Sequence, residues 1–195
     1  MFTGIIEKVL RIDRIKKEGR GISIHLQLPF DVKEGDSISV NGVCLTVNSI
    51  YGRAIIFRAM EETFRKTNLS MSKPGDWVNI ERALRIGDSI NGHIIYGHID
   101  GLGRLSSIRK TPSSTELEIK YPPVLAKYIA KKGSVALDGI SLTVVDVSPL
   151  QFQVAIIPYT EDKTNIQYRK KGDWMNIEID PLARYIERIR EARYE

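Results

Sequence analysis

The sequence predicts a mostly β protein, made of two similar modules of about ninety residues each and one short C-terminal helix. Three observations lead there. Segments of the first half return in the second half at a nearly constant offset. Within each half, short runs alternate apolar and polar residues between Gly-containing turns. Only the tail carries apolar residues at helical spacing.

Gly75-Asp-Trp-Val-Asn-Ile-Glu81 returns as Gly172-Asp-Trp-Met-Asn-Ile-Glu178, and Lys66-Thr-Asn68 as Lys163-Thr-Asn165, both at an offset of 97. At the same offset Asn41-Gly-Val-Cys-Leu-Thr-Val47 returns as Asp138-Gly-Ile-Ser-Leu-Thr-Val144. Thr3-Gly-Ile-Ile-Glu7 meets Tyr96-Gly-His-Ile-Asp100 at an offset of 93, so the second copy carries about four extra residues. They fit in residues 122–133, a helix-compatible stretch that replaces the shorter residues 29–35. A period this long suits a domain with its own core rather than a solenoid unit. The expected modules are 1–89 and 90–180, with the tail at 181–195.

In the first module Ile22, Ile24, Leu26 and Leu28 face one way, with Ser23, His25 and Gln27 between them. In the second, Leu117, Ile119 and Tyr121 alternate with Glu116, Glu118 and Lys120. These are half-buried strands. Further strands are expected at residues 37–40, 44–50, 54–57 and 77–80, punctuated by Asn41-Gly42 and Tyr51-Gly52. Five or six strands in about ninety residues favour a small closed or nearly closed barrel, because closure removes exposed edges. In the tail, Asp180 precedes Pro181 as an N-cap before a first-turn proline, and Leu182, Tyr185, Ile186 and Ile189 follow at 3-4-3 spacing. A helix of about thirteen residues is marginal alone, so its stripe must pack on its own barrel or on other copies of the chain.

Composition narrows the function. No apolar run approaches the roughly eighteen residues of a membrane span, and no basic leader with a long apolar run opens the chain, so a cytoplasmic protein is expected. One cysteine and three histidines supply neither a disulfide nor a zinc-type cluster, and no metal is expected. The net charge of +5 is spread among mixed charges rather than blocks, with surplus at Lys131, Lys132, Lys170 and Lys171 that reads as solvated turns. No nucleic-acid signature accompanies it.

Cys44 with Ser141, His93, His98 and Asp180 invite a chemical reading, against which structural rivals stand. Cys44 lies two residues from Thr46, and its counterpart Ser141 two from Thr143, so each pair shares one face of a strand. A buried, inert cysteine is the rival. A thiol in one copy where the other has a hydroxyl would let two equal folds bind one kind of molecule in two roles. His93 and His98, five apart, would point to opposite faces of a strand. His98 replaces the apolar Ile5 of the first copy, and a satisfied structural histidine is its rival. Asp180 has the rival role of helix cap.

Met1-Phe-Thr-Gly-Ile-Ile6, Asn41-Gly-Val-Cys-Leu-Thr-Val47, Gly97-His-Ile99, Asp138-Gly-Ile-Ser-Leu-Thr-Val144 and Asn176-Ile-Glu-Ile-Asp-Pro181, in this order, resemble riboflavin synthase of the α-chain type over nearly the whole chain. The resemblance implies an all-β fold of two homologous six-stranded Greek-key β-barrels plus a C-terminal α-helix, and a homotrimer assembled through those helices. It implies that two molecules of 6,7-dimethyl-8-ribityllumazine exchange a four-carbon unit, giving riboflavin and 5-amino-6-ribitylaminouracil, with no cofactor. The productive site is expected between the N-terminal barrel of one subunit and the C-terminal barrel of its neighbour.

Carried over by motif, the first pocket would use Gly4, Ile5, Ile6, Ser37, Cys44, Leu45, Thr46, Arg58, Ala59, Met60, Glu61, Glu62 and Thr63. The second would use Gly97, His98, Ile99, Lys132, Ser141, Leu142, Thr143, Ile157, Pro158, Tyr159, Thr160, Glu161 and Asp162. Many of these contacts are expected to be backbone groups reading the pyrimidinedione edge. For the chemistry, His98 and Ser141 are expected to move protons at the C-terminal barrel, and Cys44 to act as nucleophile or polarising group at the N-terminal one. Asp180 and Asp138 would orient partners, with His93 and Phe2 in support. The rival functions are a lumazine-binding antenna protein without turnover, as in luminous bacteria, and a generic flavin carrier. Whether a lumazine synthase associates with the trimer is left open by the sequence.

Overall fold

The computed structural model describes residues 1–18 and 21–193. The first copy runs β1 (Lys8–Arg11), β2 (Arg14–Glu18), β3 (Gly21–Gln27), β4 (Ser37–Val40), β5 (Val43–Tyr51), β6 (Ala54–Met60), a short helix α1 (Glu61–Arg65), a 3-10 turn (Asn68–Met71) and β7 (Trp77–Arg82). The second runs β8 (Gly101–Lys110), β9 (Thr115–Lys120), a 3-10 turn (Pro123–Tyr128), β10 (Ser134–Leu137), β11 (Ile140–Ser148), β12 (Gln151–Ile156), α2 (Pro158–Lys163), a 3-10 turn (Asn165–Tyr168) and β13 (Trp174–Ile179). The tail forms α3 (Pro181–Glu191). The extra residues of the second copy form a 3-10 turn on the stretch expected to be helix-compatible.

The second copy is a closed antiparallel barrel in the order β10-β11-β12-β9-β8-β13. The first has the order β1-β7-β4-β5-β6-β3-β2, a seven-stranded sheet whose two end strands are consecutive pieces of one chain run. Long strand β8 serves both its neighbours across a bulge between Leu105 and Ser107. In the first copy the corresponding run is divided at Ile12 and Asp13 into β1, paired with β7, and β2, paired with β3; the Ile12 N–H continues to Asp76 O (2.9 Å) and the Asp13 N–H to His25 O (3.0 Å). The expected closed or nearly closed six-stranded barrels are therefore found: the second copy closes, and in the first the run corresponding to β8 is split into β1 and β2.

Alternation fills each interior with aliphatic and aromatic side chains: Ile24, Leu26, Val40 and Phe57 in the first copy, Leu117, Ile119, Phe152 and Val154 in the second, all at 1% exposure or less. Each such side chain contributes about 1.5–3 kcal/mol by leaving water.

The copies meet around an approximate twofold axis. Asn41-Gly42 and Asp138-Gly139 are hairpin turns with positive φ at all four residues, and they pack back to back. A Cβ on Gly42 would lie 2.6 Å from Gly139 N, so only glycine allows this approach. Beside them, buried Asn68, Asn79, Asn165 and Asn176 bond across the copies to Asp138, Asn41 and one another. Asp138 also pairs with Arg169. In α3 the Asp180 carboxylate accepts the Leu182 N–H (2.9 Å). Arg184 reaches Asp100 (2.8 Å) and the buried Glu187 bonds Lys127 (3.0 Å), so the helix is tied down by its polar side. Leu182, Tyr185, Ile186 and Ile189 all face outward. Among the described residues no helix is long and apolar enough to cross a membrane.

Candidate functional site

The site is organised by the two segments that lead into the barrels. Phe2 and Ile95 pair antiparallel, Phe2 N–H to Ile95 O at 2.7 Å and Ile95 N–H to Phe2 O at 3.0 Å, and both are buried with Ala136 on the axis between copies. From there each segment crosses to the opposite copy. Gly4 O accepts the N–H of Ser141 (3.0 Å) on β11, and Gly97 O accepts the N–H of Cys44 (3.0 Å) on β5. Both glycines have positive φ, and a Cβ on either would meet the facing strand at about 2.5 Å. Sequence order groups Gly4, Ile5 and Ile6 with Cys44, and Gly97, His98 and Ile99 with Ser141. The fold exchanges the two segments, because their antiparallel pairing carries each past the axis.

Two buried carboxylates hold the exchanged segments. Glu81 on β7 accepts from Thr3 N–H (2.7 Å), Thr3 Oγ1–H (2.9 Å) and Gly4 N–H (3.1 Å). Glu178 on β13 accepts from Tyr96 N–H (2.7 Å) and Gly97 N–H (2.9 Å). Burial raises the pKa of both, that of Glu178 to about 7, while the backbone donors pull the other way. These residues were not anticipated. The available signal was that Asn-Ile-Glu repeats unchanged with polar residues alternating against core residues, which shows that the outer face of this strand is covered too.

At the Ser141 end, His93 Nδ1 lies 2.6 Å from Ser141 Oγ, and the His93 N–H bonds Thr3 O (3.1 Å). The pairing of Ser141 is thus with His93, while His98 lies on the segment that crosses to Cys44. Neither histidine is on a strand, and Gly97 kinks the chain between them, so the opposite-face expectation does not apply. Burial lowers the His93 pKa, with Asp180 acting weakly in the other direction, and its Nε2 has no protein partner. His98 is exposed, its ring 6.0 Å from that of Tyr96. Cys44 is half-buried on the outer face of β5, between the core residues Val43 and Leu45. It is therefore not a core cysteine.

Ser37, Thr46 and Arg58 sit side by side across β4, β5 and β6, and Met60 with α1, which carries Glu61, Glu62 and Thr63, follows at the end of β6. Glu62 pairs with Lys66 at 2.7 Å. Leu45, Ala59 and Leu142 turn into the cores, so outward they offer only backbone groups. In the second copy Thr143 faces Ser134 across β10 and β11. Ile157 caps α2, which carries Pro158, Tyr159, Thr160, Glu161 and Asp162, and Glu161 is held by Lys110 (2.7 Å) and Thr115. Lys110 is the main cause of the lowered Glu161 pKa. Lys132 sits in the turn before β10. Asp138 lies apart from these groups, in the buried network between copies. Asp180 caps α3 and reaches His93 only through its field. A cleft of about 320 Å³ beside the first segment is lined by Thr3, Ile5, Glu81 and Arg82, and a larger one of about 450 Å³ opens on the axis near Trp77, Tyr168 and Trp174. The larger cleft contains none of the groups above that carry chemistry.

The lumazine binding domain family matches residues 3–83 and again residues 96–180. Riboflavin synthase of Actinobacillus pleuropneumoniae is 44% identical over 192 residues, covering 97% of this chain and 89% of that protein. The Escherichia coli (strain K12) riboflavin synthase is 38% identical over 202 residues, with 99% and 95% covered. Among solved structures, LumP complexed with riboflavin superimposes with a TM-score of 0.85 at 24% identity, over 92% of this chain and 99% of that one, a likeness of fold.

Proposed function

The chain belongs to the riboflavin synthase family, with a lumazine binding domain in each copy, and we propose from this premise that its two pockets hold two molecules of 6,7-dimethyl-8-ribityllumazine in unequal roles. It functions as a riboflavin synthase, and not as an antenna or carrier protein. One lumazine gives a four-carbon unit to the other, and riboflavin and 5-amino-6-ribitylaminouracil leave. The atoms of the two substrates equal those of the two products, so no outside oxidant or reductant enters.

The observation that carries the division of labour is the asymmetry at equivalent points of one fold: Cys44 beneath Gly97, and Ser141 bonded to His93 beneath Gly4. Proton removal from the acidic methyl group of the donor ring needs a neutral base near working pH. His93 is kept neutral by burial and bonds the Ser141 hydroxyl, which makes this pair the proton relay of the second pocket. Cys44, with His98 on the crossing segment, serves the first pocket, where a nucleophile adds to the acceptor ring or polarises it. Backbone groups of residues 4–6, 44–46, 97–99 and 141–143 read the pyrimidinedione edges, with Lys132 and the threonines beside them. Asp180 orients His93 through its charge, and Asp138 acts through the packing of the two copies.

The outward stripe of α3 supports a homotrimer assembled through the C-terminal helices, which would set a first-copy pocket against a second-copy pocket of the neighbour. The test is incubation of the pure protein with 6,7-dimethyl-8-ribityllumazine alone, following riboflavin by absorbance and fluorescence. Riboflavin with an equal amount of the ribitylaminouracil is expected. Binding without riboflavin would leave a carrier. A Cys44→Ala variant with full turnover, beside an inactive His98→Ala, would remove Cys44 from the chemistry.

A further inference from the structure

We propose that Glu178 is a positioning residue, which holds residues 96–98 of the second copy against Cys44 of the first; as a statement about catalysis this rests on the function above. Two features grip one peptide from opposite sides. The Glu178 carboxylate takes the N–H groups of Tyr96 and Gly97, and that of His98 also points to it. On the other side, Gly97 O takes the N–H of Cys44. The approach leaves no slack, since a Cβ on Gly97 would come within 2.6 Å of the Cys44 Cβ. The last residue in this grip is the exposed His98.

Each oxygen of Glu178 faces a separate N–H donor, so both accept. A carboxylate can do this with either oxygen, whereas the amide of Gln would turn a donor toward one of those N–H groups. Burying a carboxyl group is costly, so one set here against backbone donors is placed to fix the loop that carries the exposed histidine. Glu81 does the same for Thr3 and Gly4 against Ser141, which provides a control within the same fold.

Cys44 is the sole cysteine of the chain, so its thiol reports directly on the segment lying over it. The experiment compares its rate of modification by an aromatic disulfide reagent in the full-length wild type, Glu178→Gln and Glu81→Gln, with circular dichroism to check folding. Losing one buried acceptor should raise the Cys44 rate about tenfold in Glu178→Gln. Glu81→Gln should stay within about twofold of wild type, because its segment lies over Ser141. In Glu178→Gln kcat for riboflavin formation should fall by a similar factor, with a smaller change in KM. An unchanged Cys44 rate in Glu178→Gln, or equal acceleration in both variants, would overturn the proposal. If Glu178→Gln does not fold, Glu178→Asp, with its carboxylate drawn back, is read by the same criteria. Absence of riboflavin formation by the wild type would sink the functional reading alone, since the thiol rates are measured without substrate.

Discussion

Lys132 adopts φ +67°, in the left-handed region, where its counterpart Gly35 has φ +88°. Both residues donate their N–H to equivalent carbonyls, Val144 and Val47, so the turn is the same and only the side chain differs. A lysine in this conformation costs roughly 1–2 kcal/mol that glycine avoids, and such strain is retained where the side chain has work to do. Lys132→Gly is expected to raise stability by about 1 kcal/mol in urea titration while weakening lumazine binding. A second prediction concerns pH. Burial lifts Glu178 from 4.5 to about 7, so its contribution to stability is fully present below pH 4.5 and is lost as pH rises through 7. The loss amounts to about 3 kcal/mol. Buried His93, with its pKa lowered, acts in the opposite sense: its contribution is present above about pH 6.5 and falls away as pH drops through the folded value. Urea titrations at pH 5 and pH 8 should show Glu178→Gln losing stability less steeply over this interval than the wild type.

Among the elements, α3 has a sequence that allows docking on its own barrel or self-association. Its polar side docks on the chain's own body through Arg184 and Glu187, and its apolar stripe points away from it. The stripe can therefore be changed without disturbing the barrels. On the proposed trimer, Leu182→Lys with Ile186→Lys should leave the circular dichroism spectrum and the folded chain intact and give monomers in sedimentation velocity where the wild type gives trimers, with turnover falling together with assembly. A monomeric wild type would overturn the proposed trimer, and a trimer unchanged by this variant would move its interface to another surface.

For the molecule as a whole, the polar network between the copies departs from symmetry where Asn41 and Ser72 in the first copy correspond to Asp138 and Arg169 in the second. Asp138 is fully buried and receives bonds from Asn68, Asn165 and Arg169. Asp138→Asn alone should destabilise the chain by about 3 kcal/mol, because it leaves the Arg169 charge without its partner and turns an amide donor toward other donors. Asp138→Asn with Arg169→Ser copies the solution already present in the first copy, and should recover part of that loss. The coupling from a double-mutant cycle in urea checks this.

The alternation and the glycine turns made the strands legible, and the internal repeat made the two modules legible, because these are local periodicities and self-comparisons. The N-cap and the apolar stripe of the tail were legible for the same reason. So were the identities of Cys44, Ser141, His93 and His98 as unusual polar groups, since each breaks the repeat or lies beside a motif. Three things were decided only in the folded chain. The break at Ile12 and Asp13 depends on which neighbours one strand can serve at once. The partners of Ser141 and Cys44 depend on the Phe2 and Ile95 pairing, which joins residues more than ninety positions apart and sends each leading segment to the other copy. Glu81 and Glu178 become anchors only because that crossing covers the outer face of their strands and brings unpaired backbone N–H groups to them. A periodicity specifies which way a side chain points from its own strand; what waits there is set by long-range pairing, which no local spacing encodes.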